Sequence, residues 1–123
     1  MKESYPDWEV YKRDRCACVY CGFSGFNDFN SWRQLAIDHV IPVCRRGSDT
    51  PDNKVVSCHR CNTLKGVWNP LKGDDKPSVI SEEYRLQLIA RVKEYLAIDS
   101  SEEPKDFDQM MGELKDNHFK NAS

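Results

Sequence analysis

Apolar and polar residues alternate along this chain with two different periods, and each period predicts a different kind of element. Gln34 to Val43 is rich in β-branched residues, which favours a strand whose pairing Pro42 limits. Lys54–Ser57 predicts a short second strand, and the residues after it predict a helix that stops at Gly66. Two short strands and a helix, with further helices elsewhere, indicate an α+β fold.

Helices are also predicted on both sides of this segment. A short helix is expected within residues 4–14, because Pro6 suits a first helical turn. Ser81 is expected to cap a helix at about 81–97, whose apolar stripe contains Tyr84, Leu88, Ile89, Val92, Tyr95 and Leu96. A weaker amphipathic helix is predicted after Pro104 from Phe107, Met110, Met111 and Leu114.

The charge distribution supports a division of the chain near residue 72. Residues 1–72 contain eleven Lys/Arg and eight Asp/Glu, a net +3, whereas residues 73–123 contain seven and twelve, a net −5. We therefore expect a core over residues 1–72, followed over residues 73–123 by a linker, the amphipathic helix and an acidic tail. The mildly basic core is compatible with a nucleic-acid partner, although the whole chain carries −2.

A run of aromatic residues at intervals of three follows the first cysteines: Phe23, Phe26, Phe29 and Trp32. Small and polar residues interrupt this run, which predicts a compact loop with one helical turn. We expect the rings to be buried in that loop, and base stacking is the alternative use.

The composition also bounds the location of the protein. A chain of 123 residues can bury only a modest core, and no apolar run approaches the roughly 18 residues of a membrane span. The first 25 residues carry several charges and no apolar signal-peptide core. A cytoplasmic protein without a membrane partner is expected.

Four of the six cysteines form two Cys-x-x-Cys pairs, Cys18/Cys21 and Cys58/Cys61. Two such pairs match a closed tetrahedral site for structural Zn²⁺, and disulfides or redox cysteines are the alternatives. The gap between the pairs is longer than in a simple zinc ribbon, so it must hold structure of its own. Cys16 and Cys44 are left outside the site.

The side chains of Asp38, His39 and Asn62 could supply the general base and the metal ligands that phosphodiester hydrolysis needs. A neutral imidazole can deprotonate water, and a hard divalent ion, held by carboxylate and amide oxygens, can stabilise the phosphate. Asp38 and His39 are neighbours on a predicted strand and therefore point to opposite faces. A twist or bulge would be needed for both to serve one site.

From Cys18 to Gly66 the chain resembles the HNH endonuclease family. The matching pieces, in order, are Cys-Val-Tyr-Cys-Gly, Ile-Asp-His-Val-Ile-Pro, Arg-Arg-Gly-Ser-Asp, Asp-Asn and Cys-His-Arg-Cys-Asn-x-x-Lys-Gly. They span about 49 of the 123 residues. The resemblance implies a small ββα-metal (His-Me finger) core, here stapled by the four-cysteine zinc site and flanked by an N-terminal and a C-terminal helix.

The resemblance also implies roles for individual residues. His39 would be the general base, Asp38 a metal ligand, and Asn53 would orient His39 by pinning the loop between the strands. Asn62 would be the second metal ligand in a His-Asn-Asn variant of the motif. An amide ligand favours Mg²⁺ or Mn²⁺ as the catalytic ion. His59 is the competitor for the last position.

The expected activity is metal-dependent cleavage or nicking of double-stranded DNA. The expected phosphate contacts are Arg45, Arg46, Lys54, Arg60 and Lys65. The alternative function is a non-catalytic zinc module that binds nucleic acid or protein. The C-terminal region is a possible docking segment for a protein partner, and nothing in the sequence indicates an oligomeric state.

Overall fold

The computed structural model describes residues 5–100 and 107–122 of the chain. Within these ranges it contains a two-stranded antiparallel sheet, five α-helices and two short 3-10 turns. The elements in chain order are α1 (Trp8–Arg13), α2 (Phe29–Arg33), β1 (Leu35–His39), β2 (Lys54–Cys58), α3 (His59–Lys65), α4 (Glu82–Ser100) and α5 (Phe107–Ala122).

The register of the hairpin separates two ends of the sheet that carry different chemistry. Leu35 lies opposite Cys58 at one end, and His39 lies opposite Lys54 at the other. A strand of five residues places these ends roughly 13 Å apart. Between them, the Val56 side chain of β2 is completely buried and anchors the sheet in the core.

β1 is shorter than the strand that the sequence predicted over residues 34–43. The strand ends at His39, and the amide of Val40 donates to the carbonyl of Asn53 at 2.9 Å. Pro42 has no amide hydrogen for a ladder and leads into a 3-10 turn. The proline therefore limits the pairing as expected, but the predicted strand was too long.

α3 follows β2 directly, without an intervening loop. Cys58 is both the last residue of β2 and the N-cap of α3, and its Sγ accepts a hydrogen bond from the amide of Cys61 at 3.4 Å. Gly66, with a φ of 53°, ends the helix where the sequence predicted. β1, β2 and α3 together form a ββα unit, so the predicted α+β class is confirmed.

α4 packs against α3 through the apolar stripe that its spacing predicted. Leu88 and Val92, on this stripe, are completely buried in the core. Ser81 caps the helix, because its Oγ accepts a hydrogen bond from the amide of Tyr84 at 3.1 Å. The second half of the chain therefore contributes to the core, and a boundary at residue 72 stays a prediction.

α5 confirms the second helix that was predicted after Pro104. Its side chains at Phe107, Met110 and Leu114 are exposed. No helix within residues 5–100 or 107–122 combines the length and apolar character that a bilayer-spanning segment requires.

The predicted burial of the aromatic loop is wrong for three of its four rings. Phe23 is 37% exposed, Phe26 75% and Phe29 70%, whereas Trp32 is half-buried. The reason is the close approach of the backbone to the core at Gly25, where a Cβ would lie 2.6 Å from a Leu35 methyl. The backbone of Gly25 is buried at this position, and the phenyl rings before and after it in the sequence, at Phe23 and Phe26, are exposed to solvent.

The packing of α4 on α3 predicts that truncation of two leucines of α4 will change the free energy of unfolding by very different amounts. Leu88→Ala should lower the free energy of unfolding by about 2–5 kcal/mol, because it leaves a cavity in the core. Leu86→Ala, at a side chain that is 59% exposed, should change it by less than about 0.5 kcal/mol. Urea denaturation of both variants measures the difference, and equal losses would contradict the packing described for α4.

Candidate active site and metal centre

Four thiols that are distant in the sequence meet at one end of the sheet. The Sγ atoms of Cys18, Cys21, Cys58 and Cys61 all lie within 4.8 Å of one another, and those of Cys21 and Cys58 are 3.6 Å apart. Zinc with four thiolates at 2.3 Å would place its sulfurs about 3.8 Å apart. The donor set and its spacing therefore fit the predicted metal site. Cys16 and Cys44 lie outside this cluster, as expected.

Backbone geometry shapes the first pair of this cluster. Gly22 has a φ of 83°, a left-handed conformation that L side chains rarely adopt, directly after Cys21. The amide of Cys18 donates to the carbonyl of Phe23 at 2.9 Å, which closes the turn. The second pair is presented by the first turn of α3, so each pair is held by regular backbone hydrogen bonds.

The four thiols change one another's ionisation. Burial raises the pKa of Cys61, and the charge of Cys18 adds to this effect. Burial also raises the pKa of Cys21. The pKa of Cys18 is lowered, because hydrogen bonds from the Cys58 and Cys21 backbone outweigh its burial. Four thiolates can share so small a volume only when a cation offsets their charge, which a bound divalent ion supplies.

His39 is at the opposite end of the sheet, and its side chain is 28% exposed. Its Nε2 lies 2.8 Å from Oδ1 of Asp49. Lys54 places its Nζ 3.0 Å from the same oxygen and 3.0 Å from Oδ1 of Asp7. The hydrogen bonds from His39 and Lys54 hold the pKa of Asp49 below its usual range. Sequence reasoning gave Asp49 no role, because its contact with His39 depends on how the loop closes.

Asp38 points to the other side of β1 and is buried, as strand alternation predicted. Tyr20 donates its hydroxyl to Oδ2 of Asp38 at 2.6 Å, and Nζ of Lys65 lies 3.3 Å from the same atom. Lys65 also donates to the backbone carbonyl of His39 at 3.0 Å. Burial raises the pKa of Tyr20 well above its usual value, so its hydroxyl stays protonated and donates.

The spacing of residues on α3 places Asn62 near the side of the helix from which Lys65 reaches Asp38. Asn62 precedes Lys65 by three residues, roughly 60° around the helix, and Lys65 reaches the Asp38 carboxylate. His59 is roughly 120° away from Lys65 on the same helix, and its exposed side chain lies at the cysteine end of the sheet. Asn62 is therefore better placed than His59 to face Asp38.

Asn53 holds the loop between the strands and has no exposed surface. Its Oδ1 accepts from the amide of Ile41 at 2.9 Å, and its Nδ2 donates to the carbonyls of Ile41 at 2.9 Å and Ser48 at 2.8 Å. Gly47 crosses this part of the loop so closely that a Cβ would lie 1.7 Å from the Ile41 carbonyl oxygen. The side chain of Asn53 and the absence of one at Gly47 thus fix the loop that carries Asp49.

The five cations predicted to contact phosphate have different environments. Arg45, Arg46 and Arg60 have exposed side chains. Lys54 is engaged by two carboxylates, and hydrogen bonds to them raise its pKa. Lys65 has no exposed surface and is bound inside the protein. The structure therefore gives Lys65 internal partners where the sequence suggested a phosphate.

Comparison with known proteins identifies the same segment of the chain. Residues 18–67 match the family model described as HNH endonuclease. The chain is also 40% identical over 60 residues to a CRISPR-associated endonuclease Cas9 from Corynebacterium diphtheriae. This similarity covers 48% of the chain and 5% of the relative, so the chain spans only a small part of that protein's length.

The cysteine cluster predicts different effects on zinc binding and stability when a cysteine inside it or one outside it is replaced. Cys58→Ala should abolish binding of one equivalent of Zn²⁺ and remove most of the folding stability, because metal binding to such sites is coupled to folding. Cys44 is exposed and lies outside the cluster, so Cys44→Ala should retain both zinc binding and folding stability. Bound zinc and the thermal unfolding midpoint are measured on both proteins. A Cys58→Ala protein that folds normally without zinc would refute a structural role for the metal.

Proposed function

We propose that this chain, whose residues 18–67 match the HNH endonuclease family model, is a metal-dependent endonuclease that hydrolyses phosphodiester bonds in DNA. The observation that carries the proposal is the environment of His39. Its imidazole is partly exposed, its Nε2 is held by Asp49, and Asn53 fixes the loop on which Asp49 lies.

His39 is the proposed general base. A carboxylate accepts hydrogen bonds only, so the contact with Asp49 assigns the imidazole proton to Nε2. Nδ1 then carries a lone pair and can accept a proton from water. The hydroxide forms a bond to phosphorus, and the bond from phosphorus to the leaving oxygen breaks. The leaving oxygen takes up a proton from solvent water, and the imidazolium of His39 later releases its proton to solvent. Asp49 stabilises the imidazolium that results, as an orienting carboxylate does in other histidine bases.

Asp38 and Asn62 are the proposed ligands of the catalytic ion, for which we favour Mg²⁺ or Mn²⁺. The bound ion would neutralise charge on the phosphate and on the leaving oxygen. The carboxylate of Asp38 has about four lone-pair positions, so the donors Tyr20 and Lys65 leave some of them for a metal. Hydrogen-bonded partners of this kind orient carboxylates that bind metals, so we assign Tyr20 and Lys65 the role of orienting Asp38.

The ion at the four cysteines is proposed to be Zn²⁺ with a purely structural role. All four ligands are protein thiolates, which leaves no coordination position for water or substrate. Because such thiolates require reducing conditions, we place the protein in the cytoplasm.

The proposed substrate is double-stranded DNA, nicked or cut through both strands. The exposed side chains of Arg45, Arg46 and Arg60 are the proposed phosphate contacts, since arginine binds phosphate oxygens in a bidentate manner. The C-terminal region is the proposed site of a protein partner, because α5 exposes the side chains of Phe107, Met110 and Leu114.

The proposal predicts cleavage of supercoiled plasmid by the wild-type protein when Mg²⁺ or Mn²⁺ is added. His39→Ala should reduce the rate by at least about 100-fold, because proton transfer to a general base contributes that much or more. His118→Ala, on α5, is the matched control and should cleave as the wild type does. Nicked and linear products are measured by gel electrophoresis, with zinc content checked for each protein.

Two results of that assay would contradict the proposal. Equal cleavage by His39→Ala and the wild type would remove His39 from the chemistry. No cleavage by a folded, zinc-loaded wild type in either metal would favour the alternative, a zinc module that binds without catalysis.

The contact between His39 and Asp49 predicts that replacement of Asp49 will lower kcat. Asp49→Asn should lower kcat by about 10- to 100-fold and leave KM within about twofold, because the amide no longer stabilises the imidazolium. Asp49→Glu should restore part of kcat, whereas Asp75→Asn, at an exposed carboxylate, should have no effect. Steady-state cleavage of a labelled duplex measures both constants. An unchanged kcat in Asp49→Asn would rule out this role.

A further inference from the structure

A groove of about 490 Å³ opens between α1, α2 and the loop before α2, away from the residues assigned above. Its walls are aromatic: Trp8, Tyr11, Phe26, Phe29 and Trp32. Within residues 5–100 and 107–122, no Leu, Ile, Val or Met side chain lines it. The groove therefore offers flat ring faces and edges in place of the rounded aliphatic surface that receives a hydrophobic helix.

The floor of this groove is ordered by packing, and its mouth is open. Tyr11 and Trp32 have ring centroids 4.8 Å apart, and burial raises the pKa of Tyr11 to about 12. Phe26 and Phe29 stand at the mouth with most of their surface in solvent. Two exposed phenyl rings beside a fixed aromatic floor leave space for planar groups to stack.

The charged side chains that line the groove are cationic, and the nearby carboxylate of Asp28 is engaged in capping α2. Lys12 and Arg15 line it, and the guanidinium of Arg33 lies 5.8 Å from the centre of the Phe29 ring. No carboxylate lines the groove within the residues that the structure describes. Glu9 lies 3.8 Å from Lys12, but both side chains are exposed and their interaction is weakened by solvent. The rim therefore complements a polyanion.

We propose that this groove binds unpaired bases of a nucleic-acid strand, which stack on the aromatic walls while Lys12, Arg15 and Arg33 contact the phosphates. Aromatic rings combined with a cationic rim are the features that bind single strands without sequence preference. The inference rests on the proposed function and deepens it, because it names a substrate with a single-stranded portion beside the cleavage site.

A chain of direct contacts connects the groove with His39. Trp8, in the groove wall, follows Asp7 in sequence, and Oδ1 of Asp7 lies 3.0 Å from Nζ of Lys54. Lys54 is 3.0 Å from Asp49, which is 2.8 Å from the imidazole of His39. The groove wall and the proposed general base are thus linked through Asp7, Lys54 and Asp49.

The test measures binding to full-length His39→Ala protein, so that the oligonucleotides are not cleaved. The probes are a fluorescein-labelled oligothymidylate and an abasic strand of the same length and charge, followed by fluorescence anisotropy. Phe26→Ala/Phe29→Ala should weaken oligothymidylate binding about tenfold or more and leave binding of the abasic strand unchanged. Leu86→Ala, at an exposed apolar side chain on α4, is the control and should bind both probes as the parent does.

The cationic rim is tested separately. Lys12→Gln/Arg15→Gln should weaken binding of both strands and reduce the dependence of affinity on salt concentration, because fewer counterions are released. Lys93→Gln, on α4, is the control for charge alone and should have little effect.

Two outcomes would overturn the groove proposal: equal affinity of the parent for oligothymidylate and the abasic strand, or unchanged oligothymidylate binding in Phe26→Ala/Phe29→Ala. The latter is also the result expected of a groove that receives a hydrophobic peptide. Plasmid cleavage by the wild type is measured independently. Cleavage without ring-dependent binding refutes the groove alone, whereas ring-dependent binding without cleavage refutes the proposed endonuclease alone.

Discussion

The meeting of four thiols at one end of a short hairpin is the constraint on which the rest of this structure depends. Cys58 ends β2, caps α3 and belongs to the cluster, so one residue fixes both the exit of the strand and the start of the helix. Cys18 and Cys21 tie a distant loop to this junction. A metal bound by this cluster would add a constraint on these segments to the one that burial supplies, because metal binding to such sites is coupled to folding.

The cysteine cluster also reaches the proposed active site through a single side chain. Tyr20 lies between Cys18 and Cys21 and donates to Asp38, while Lys65 approaches the same carboxylate from α3. A buried carboxylate is tolerated when donors satisfy it, and here they come from two segments that the cluster joins. The geometry of Asp38 is thus coupled to the integrity of the cluster, although the two sites lie toward opposite ends of the sheet.

The parts of this structure that could be predicted from sequence are those set by local spacing. The two cysteine pairs, the cap at Ser81 and the opposite directions of Asp38 and His39 follow from turns and alternation. The contact of Asp49 with His39 could not be predicted, because it depends on the closure of a loop over Gly47. The burial of Lys65 and the exposure of Phe26 likewise depend on tertiary packing, which overrides the usual preference of a lysine for solvent and of a phenylalanine for the core.

The two proposed metal sites differ enough in chemistry to select different ions within one small domain. Thiolates are soft ligands that bind zinc tightly and leave no open position, whereas the oxygens of Asp38 and Asn62 suit a hard ion such as Mg²⁺. The ammonium of Lys65, 3.3 Å from Asp38, adds positive charge beside the second site and disfavours tight binding of a further cation there. The proposal therefore implies a structural ion that stays bound and a catalytic ion that would bind together with the phosphate, since the phosphate would supply the negative charge that the protein ligands lack.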